Sequence, residues 1–285
     1  MSHREKPVTV ARLQKMKQNK QKIAMITAYD FPSGQLAEAS GADVILVGDS
    51  VGMVVLGYET TVRVTTDDII HHTRAVSRGI SRPLLVADLP FLTYHLSTRD
   101  ALLAAGKLIQ EGGATAIKME GGKELAATVK ACVQAGIPVM GHIGLTPQTV
   151  NQTGYRIEGK TAASVQKLKE DAKALVEAGV FAIVLECVTE EAAKIITSAV
   201  PVPTIGIGSG SFCDGQVLVF HDVLQYGLDG FLPSFVKTYA NIGATIQKGL
   251  TEYVNDVKAG KFPQAQHTFH AEEQLKAPLD GGTQL

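Results

Sequence analysis

Short apolar runs, each closed by a polar or glycine-rich turn, recur along the chain. They fall at Ile23–Thr27 (IAMIT), Val44–Val47 (VILV), Leu84–Ala87 (LLVA) and Ala116–Met119 (AIKM). Others follow at Val139–Gly141 (VMG), Ala182–Leu185 (AIVL), Pro203–Ile207 (PTIGI) and Gly230–Leu232 (GFL). They are too short for helices, and most are apolar at consecutive positions, as in parallel strands buried on both faces. The segments between them carry apolar residues at helical spacing. Thr66–Gly79 opens TDD and places Ile69, Ile70, Thr73 and Val76 at 3–4 spacing, and Ser97–Glu111 places Leu102, Leu103 and Leu108 before Gly112–Gly113. Lys123–Gln134 ends at Gly136 and Thr161–Glu177 at Gly179, with caps and glycines where helix ends need them. Eight strands alternating with helices over roughly 250 residues predict an α/β fold, a (β/α)8 TIM barrel, with a doubly wound open sheet as the competing architecture. No Pro/Ser-rich linker divides residues 1–285, so a single domain is expected: a leading helix at about 9–20, the barrel at about 23–258, and an extended or partly disordered tail at about 262–285.

Composition narrows the setting. Glycine supplies 28 of 285 residues, above an average of roughly 7%, as many tight strand–helix turns require. The formal net charge is −1 and no long run of like charge occurs, which gives no electrostatic footprint for nucleic acid or an anionic membrane. Cys132, Cys187 and Cys213 are odd in number and form no CxxC pair, so neither a disulfide framework nor a cysteine zinc site is expected. The N-terminus lacks an apolar signal core, and no apolar run approaches the ~18 residues of a membrane span. These features predict a cytoplasmic protein in a reducing compartment.

Chemistry gathers where the runs end. In a barrel the active site lies at the C-terminal ends of the strands. VILVGDS delivers Asp49 and Ser50 there, LLVADLPF delivers Asp88, and AIKMEGG delivers Lys118 and Glu120. MGHIGLTP delivers His142 and IVLECV delivers Glu186. Lys118 and Glu120 are two apart on a strand and share one face. Taken singly, a strand-end Asp reads as a helix cap or ion-pair partner, Lys118 as the partner of Glu120, and His142 as a satisfied core histidine. Together, four carboxylates, one lysine and one histidine at an apolar mouth require mutual compensation. A hard divalent ion such as Mg²⁺ supplies it, since oxygen ligands without a cysteine cluster suit that ion.

Other features are less decisive. GIGSG at Gly206–Gly210 follows the seventh strand, where barrels often bind phosphate, but it lacks a full dinucleotide fingerprint and reads equally as a ligand loop or a turn. His71 and His72 are adjacent on a helix and face different directions, which argues against a metal pair. Cys187 should point away from Glu186 as an inert core thiol. The polar segment Thr146–Lys160 is long for a barrel connection and reads as a lid or a solvated insertion.

Several long motifs occur in one order: TAYDFPSGQLAEASGAD, VGDSVGMVVLGYETT, LLVADLPF, IKMEGG, GHIGLTPQ, VLECV, GIGSGSFCDGQVLV and FPQAQHTFH. In this the chain resembles the ketopantoate hydroxymethyltransferase family over roughly residues 9 to 270. Arg63 in TTVRVT stands where the family more usually has proline. The resemblance implies a barrel of the phosphoenolpyruvate mutase/isocitrate lyase type and a homo-oligomer, commonly a decamer. It implies transfer of a hydroxymethyl group from 5,10-methylenetetrahydrofolate to 3-methyl-2-oxobutanoate, giving 2-dehydropantoate in pantothenate biosynthesis, with Mg²⁺. By motif position it makes Asp49, Asp88 and Glu120 the metal-site residues, Glu120 either directly or through water. It makes Asp49, Ser50, Asp88 and Lys118 substrate contacts and Glu186 the proton acceptor. His142 is read as a substrate-side residue that orients the oxo acid or assists proton movement. The rival readings are another Mg²⁺-dependent barrel lyase acting on a 2-oxo acid, and a barrel that only binds its ligand.

Overall fold

The computed structural model describes residues 6–228 and 232–270. The chain begins with α1 (Val10–Gln18), β1 (Ile23–Thr27), α2 (Phe31–Ala39), β2 (Val44–Val47), α3 (Val51–Val54) and α4 (Thr66–Gly79). It continues through β3 (Leu84–Asp88), α5 (Thr98–Gln110), β4 (Ala116–Glu120), α6 (Ala126–Gln134), β5 (Val139–Gly144) and α7 (Val150–Thr153). Then come α8 (Ala162–Ala178), β6 (Ala182–Glu186), α9 (Glu190–Ala199), β7 (Thr204–Ile207), β8 (Gly215–Leu218), α10 (Phe220–Leu224) and α11 (Ile242–Lys258). The strands pair in chain order, all parallel, and β8 pairs back onto β1, so the sheet is a closed barrel and not an open one.

The continuous apolar character of the strands has a direct cause. Alternate residues point into the barrel, where Val44, Leu46, Leu84, Val86, Met140, Val184 and Ile205 form one cluster. Their neighbours Ile45, Val47, Leu85, Ile117, Ile183 and Leu185 pack outward against the helices in a second cluster. Leu13 of α1 and Val8 join the inner cluster beside Ile23 and Phe181 at the strand starts. The leading helix therefore plugs the N-terminal end and leaves the opposite mouth for chemistry. Helix ends follow their caps: Thr65 and Asp68 form a reciprocal capping box on α4, Ser97 caps α5, and Gly179 ends α8 at φ +101.

The eighth strand differs from expectation. It is Gly215–Leu218, whereas Gly230–Leu232 was expected, and residues 230–231 lie outside the described residues. GQVL escaped the pattern because it follows β7 with no intervening helix and carries an exposed Gln216. Gly215 is required there, since a Cβ would lie 2.5 Å from the Ile23 carbonyl oxygen and 2.7 Å from Ile205 Cδ1. Beyond the barrel, α11 buries only Gly243. The expected tail is exposed over 262–270 and lies outside the described residues from 271 on. Among the described residues no helix is long and apolar enough to cross a membrane.

Candidate active site

Barrel register brings the charged strand ends together. Asp88 pairs across the sheet with Lys118, Glu120 with His142, and Gly144 with Glu186. Gly48 lets β2 turn tightly, because a Cβ there would meet Ser50 Oγ at 2.9 Å and Asp88 Oδ2 at 3.4 Å. Asp49 is therefore presented into the mouth and is not a cap. Ser50 occupies the N-cap position of α3 without a side-chain bond, while the Asp49 backbone N–H donates to Asp88 Oδ2 at 3.0 Å.

Lys118 sits at the centre. Its Nζ is 3.0 Å from Asp88 Oδ1, 3.6 Å from Glu120 Oε1 and 3.2 Å from His142 Nδ1. His142 Nδ1 is 3.4 Å from Glu120 Oε1, and its Nε2 is 3.2 Å from Glu186 Oε2. The ion-pair readings of Lys118 thus hold, but within a network of several groups. Asp49, Asp88, Lys118, Glu120 and His142 are all buried, whereas the Glu186 side chain keeps 16% of its surface open and is the most accessible of these charged groups. Ser50 lies at the edge, its Oγ 2.8 Å from the Tyr29 hydroxyl.

The electrostatics follow from burial and crowding. Burial, reinforced by Glu120 and Asp88, lifts Asp49 well above the usual carboxylate range. Burial also raises Asp88, although Lys118 opposes it. Burial pushes Glu120 the same way, but His142 and Lys118 outweigh it and hold that carboxyl low. Burial and Lys118 would depress His142, yet the Glu120 and Glu186 carboxylates lift it to about 9. The cluster therefore holds more negative charge than its own cations neutralise comfortably.

The residues fit a hard divalent ion in donor type. Asp88 Oδ1 is buried without an aligned hydrogen-bond partner, despite its proximity to Lys118. Asp49, Asp88 and Glu120 offer oxygen donors around the same mouth. Among the described residues no group of three or more His, Cys, Asp or Glu side chains is already arranged to hold a metal ion, so the donors offered are single carboxylates.

Two buried residues at this site escaped the sequence reading. Gln148 donates to Asp49 and Glu120, and Tyr94 hydrogen-bonds Gln148 and the Glu120 backbone. The first half of the Thr146–Lys160 segment thus packs into the site as a 3-10 turn followed by α7, while Arg156 and Glu158 help wall a neighbouring cavity of about 140 Å³. In GIGSG, Ser209 Oγ donates to the Leu185 carbonyl and accepts from the Val188 N–H, tying this loop to the end of β6. His72 Nδ1 is spent on the Tyr29 carbonyl, and His71 packs against the His72 ring. Cys187 is half-buried, and burial beside Glu186 pushes its thiol up to about 11.

A sequence profile described as ketopantoate hydroxymethyltransferase matches residues 7–265. The chain is 56% identical over 263 residues to the 3-methyl-2-oxobutanoate hydroxymethyltransferase of Carboxydothermus hydrogenoformans, covering 92% of this chain and 95% of that one. It is 53% identical over 272 residues to the enzyme of the same name from Dehalococcoides mccartyi, covering 95% and 97%. Among solved structures, a phosphonopyruvate hydrolase superposes with a TM-score of 0.61 at 13% identity, covering 95% of this chain and 94% of that one. 2,3-Dimethylmalate lyase, of the phosphoenolpyruvate mutase/isocitrate lyase superfamily, gives 0.54 at 17% identity, covering 73% and 79%. The structural likenesses establish the barrel type, and the sequence matches go further: this chain belongs to the ketopantoate hydroxymethyltransferase family of transferases.

Proposed function

We propose that the chain transfers a hydroxymethyl group from 5,10-methylenetetrahydrofolate to 3-methyl-2-oxobutanoate, forming 2-dehydropantoate for pantothenate biosynthesis in the cytoplasm, and that it requires Mg²⁺. Relatives above 50% identity carry the transferase name, whereas the lyase likeness stands at 17% and speaks for the fold alone. The single observation that carries the mechanism is the division of labour within the mouth. One carboxylate, Glu186, is open, while Asp49, Asp88 and Glu120 are buried together around Lys118.

Asp49, Asp88 and Glu120 would hold the ion, Glu120 directly or through water. When bound, Mg²⁺ supplies Lewis-acid stabilisation to the carboxylate and keto oxygens of the oxo acid. Lys118 adds a fixed positive charge beside those oxygens as negative charge builds on them. Asp49, Ser50 and Asp88 line the substrate's other side, and His142 orients it from between Lys118 and Glu186. Glu186 takes the proton from C3. Water opens the folate's methylene bridge, breaking its two C–N bonds and releasing tetrahydrofolate and a formaldehyde-level carbon. The C3 electron pair forms the new C–C bond to that carbon, and its oxygen takes the proton held by Glu186 to become the product hydroxyl. The whole chain acts as one barrel domain in this reading. It assembles as a homo-oligomer, a decamer by family likeness, and the exposed apolar residues of α11 (Ile246, Leu250 and Val254) support association.

The test is exchange at C3. Wild-type protein with Mg²⁺ should exchange that proton with deuterated water, and Glu186→Gln, which keeps the size but cannot accept the proton, should lose exchange and turnover together. General-base removal is worth ~10²–10⁴-fold, so a drop below tenfold would remove Glu186 from the role. Omitting methylenetetrahydrofolate should abolish product but not exchange. Product formed without it would reject the folate assignment.

A further inference from the structure

Gln148 is 2% exposed and sits on the 3-10 turn Pro147–Thr149, at the root of the segment that follows β5. Its backbone N–H donates to Glu120 Oε2 at 3.0 Å. Its side-chain Nε2 donates to Asp49 Oδ2 at 2.8 Å and to the Leu89 carbonyl at 2.9 Å. Its Oε1 accepts from the Tyr94 hydroxyl at 2.7 Å, and that hydroxyl in turn accepts the Glu120 N–H at 3.2 Å. The amide can point only one way. Reversed, its oxygen would face the Leu89 carbonyl, which can only accept, and the Asp49 carboxylate.

We propose that Gln148 is a positioning residue that presets Asp49 and Glu120 for the divalent ion; the inference rests on the metal reading given above. Two buried carboxylates repel each other, and a neutral residue that donates to both holds them in register without cancelling the charge that attracts a cation. With Oδ2 engaged, Asp49 keeps Oδ1 outside this network, and Glu120 likewise keeps only Oε1, directed to Lys118 and His142. A lysine here would neutralise the site. A glutamate would add a like charge and leave Asp49 and Leu89 without a donor. Hydrogen-bond partners of metal-binding side chains commonly set the affinity this way.

Mn²⁺ is a suitable probe, its free signal read by electron paramagnetic resonance on the full-length protein without substrate. Gln148→Met keeps the bulk but removes the amide, and should weaken Mn²⁺ binding by about 10–100-fold. Tyr94→Phe removes only the hydroxyl that fixes the amide and should give a smaller loss. Asp49→Ala should abolish specific binding. In assays, the apparent metal constant of Gln148→Met should rise by more than kcat falls. A merely structural role would lower the thermal midpoint and leave the metal constant unchanged. Wild-type Mn²⁺ affinity in Gln148→Met, with Asp49→Ala inactive in binding, overturns the proposal and spares the metal site. If Gln148→Met does not fold, wild-type affinity in Tyr94→Phe overturns it equally. Wild-type affinity in Asp49→Ala would instead overturn the metal reading and the proposal with it.

Discussion

Lys118 is buried among Asp88, Glu120 and His142 and gives the carboxylates their nearest fixed cation. Lys118→Met removes that charge and leaves the acids buried without it, so a loss of about 3–5 kcal/mol is expected. The pH dependence carries a definite sign. Asp49 and Asp88 are already raised, by burial first, so the folded state binds protons there more readily than the unfolded chain. Their cost to stability is present at neutral pH and is relieved as pH falls toward the ordinary carboxylate range. Lys118 opposes both shifts, so Lys118→Met should gain more stability than wild type between pH 8 and pH 5, measured by denaturant unfolding. An equal gain would show that Lys118 does not govern these acids. The thiols give a separate test. Burial pushes Cys132 and Cys187 to about 11, so at pH 8 roughly one in a thousand of each is thiolate. Native protein should resist iodoacetamide at both positions, followed by mass spectrometry, and react at both once unfolded. Rapid native labelling of Cys187 would show that its half-buried setting does not protect the thiol.

At the level of elements, the site depends on how closely neighbouring strand ends approach. Gly144 ends β5 at φ +100, and a Cβ there would lie 2.3 Å from the Glu186 carbonyl oxygen and 2.7 Å from Val188 Cγ2. Gly144→Ala should cost more than about 1 kcal/mol, because it combines an unfavourable φ with a backbone collision. It should also lower C3 exchange by displacing Glu186. Gly136→Ala is the control: φ is +86 but no atom lies within 4 Å of the added Cβ. It should lose stability without losing exchange. Equal exchange in both variants would show that the β5–β6 contact does not position Glu186 for its proposed role.

Across the whole molecule, barrel closure and the proposed self-association make different demands. Closure requires β8 to lie between β7 and β1, where Gly215 admits the Ile23 backbone. Exposed apolar surface gathers on α11, where Leu250 is 60% and Tyr253 55% exposed on a helix that buries only Gly243. Exposed apolar surface of this kind marks an interaction site. Leu250→Glu should lower the mass measured by light scattering while the barrel's circular dichroism is retained. An unchanged mass would remove α11 from the proposed interface.

Seven strand positions, the helix caps and the charged strand ends were legible in the sequence because each is a local property. A strand buried on both faces is apolar at every step, and a polar residue just beyond it marks the rim. The eighth strand was not legible, since GQVL is short, is preceded by no helix, and becomes a strand only by pairing with β1 and β7. Nor could the fate of single carboxylates be read. VGDS is compatible with a helix cap, and only the barrel shows Asp49 beside Asp88 and beneath the Gln148 amide. Gln148 and Asp49 are 99 residues apart in the chain. Hydrophobic periodicity records which face of an element is buried. The choice of polar partner is set by distance in space, and that distance exists only once eight strands have closed on one another.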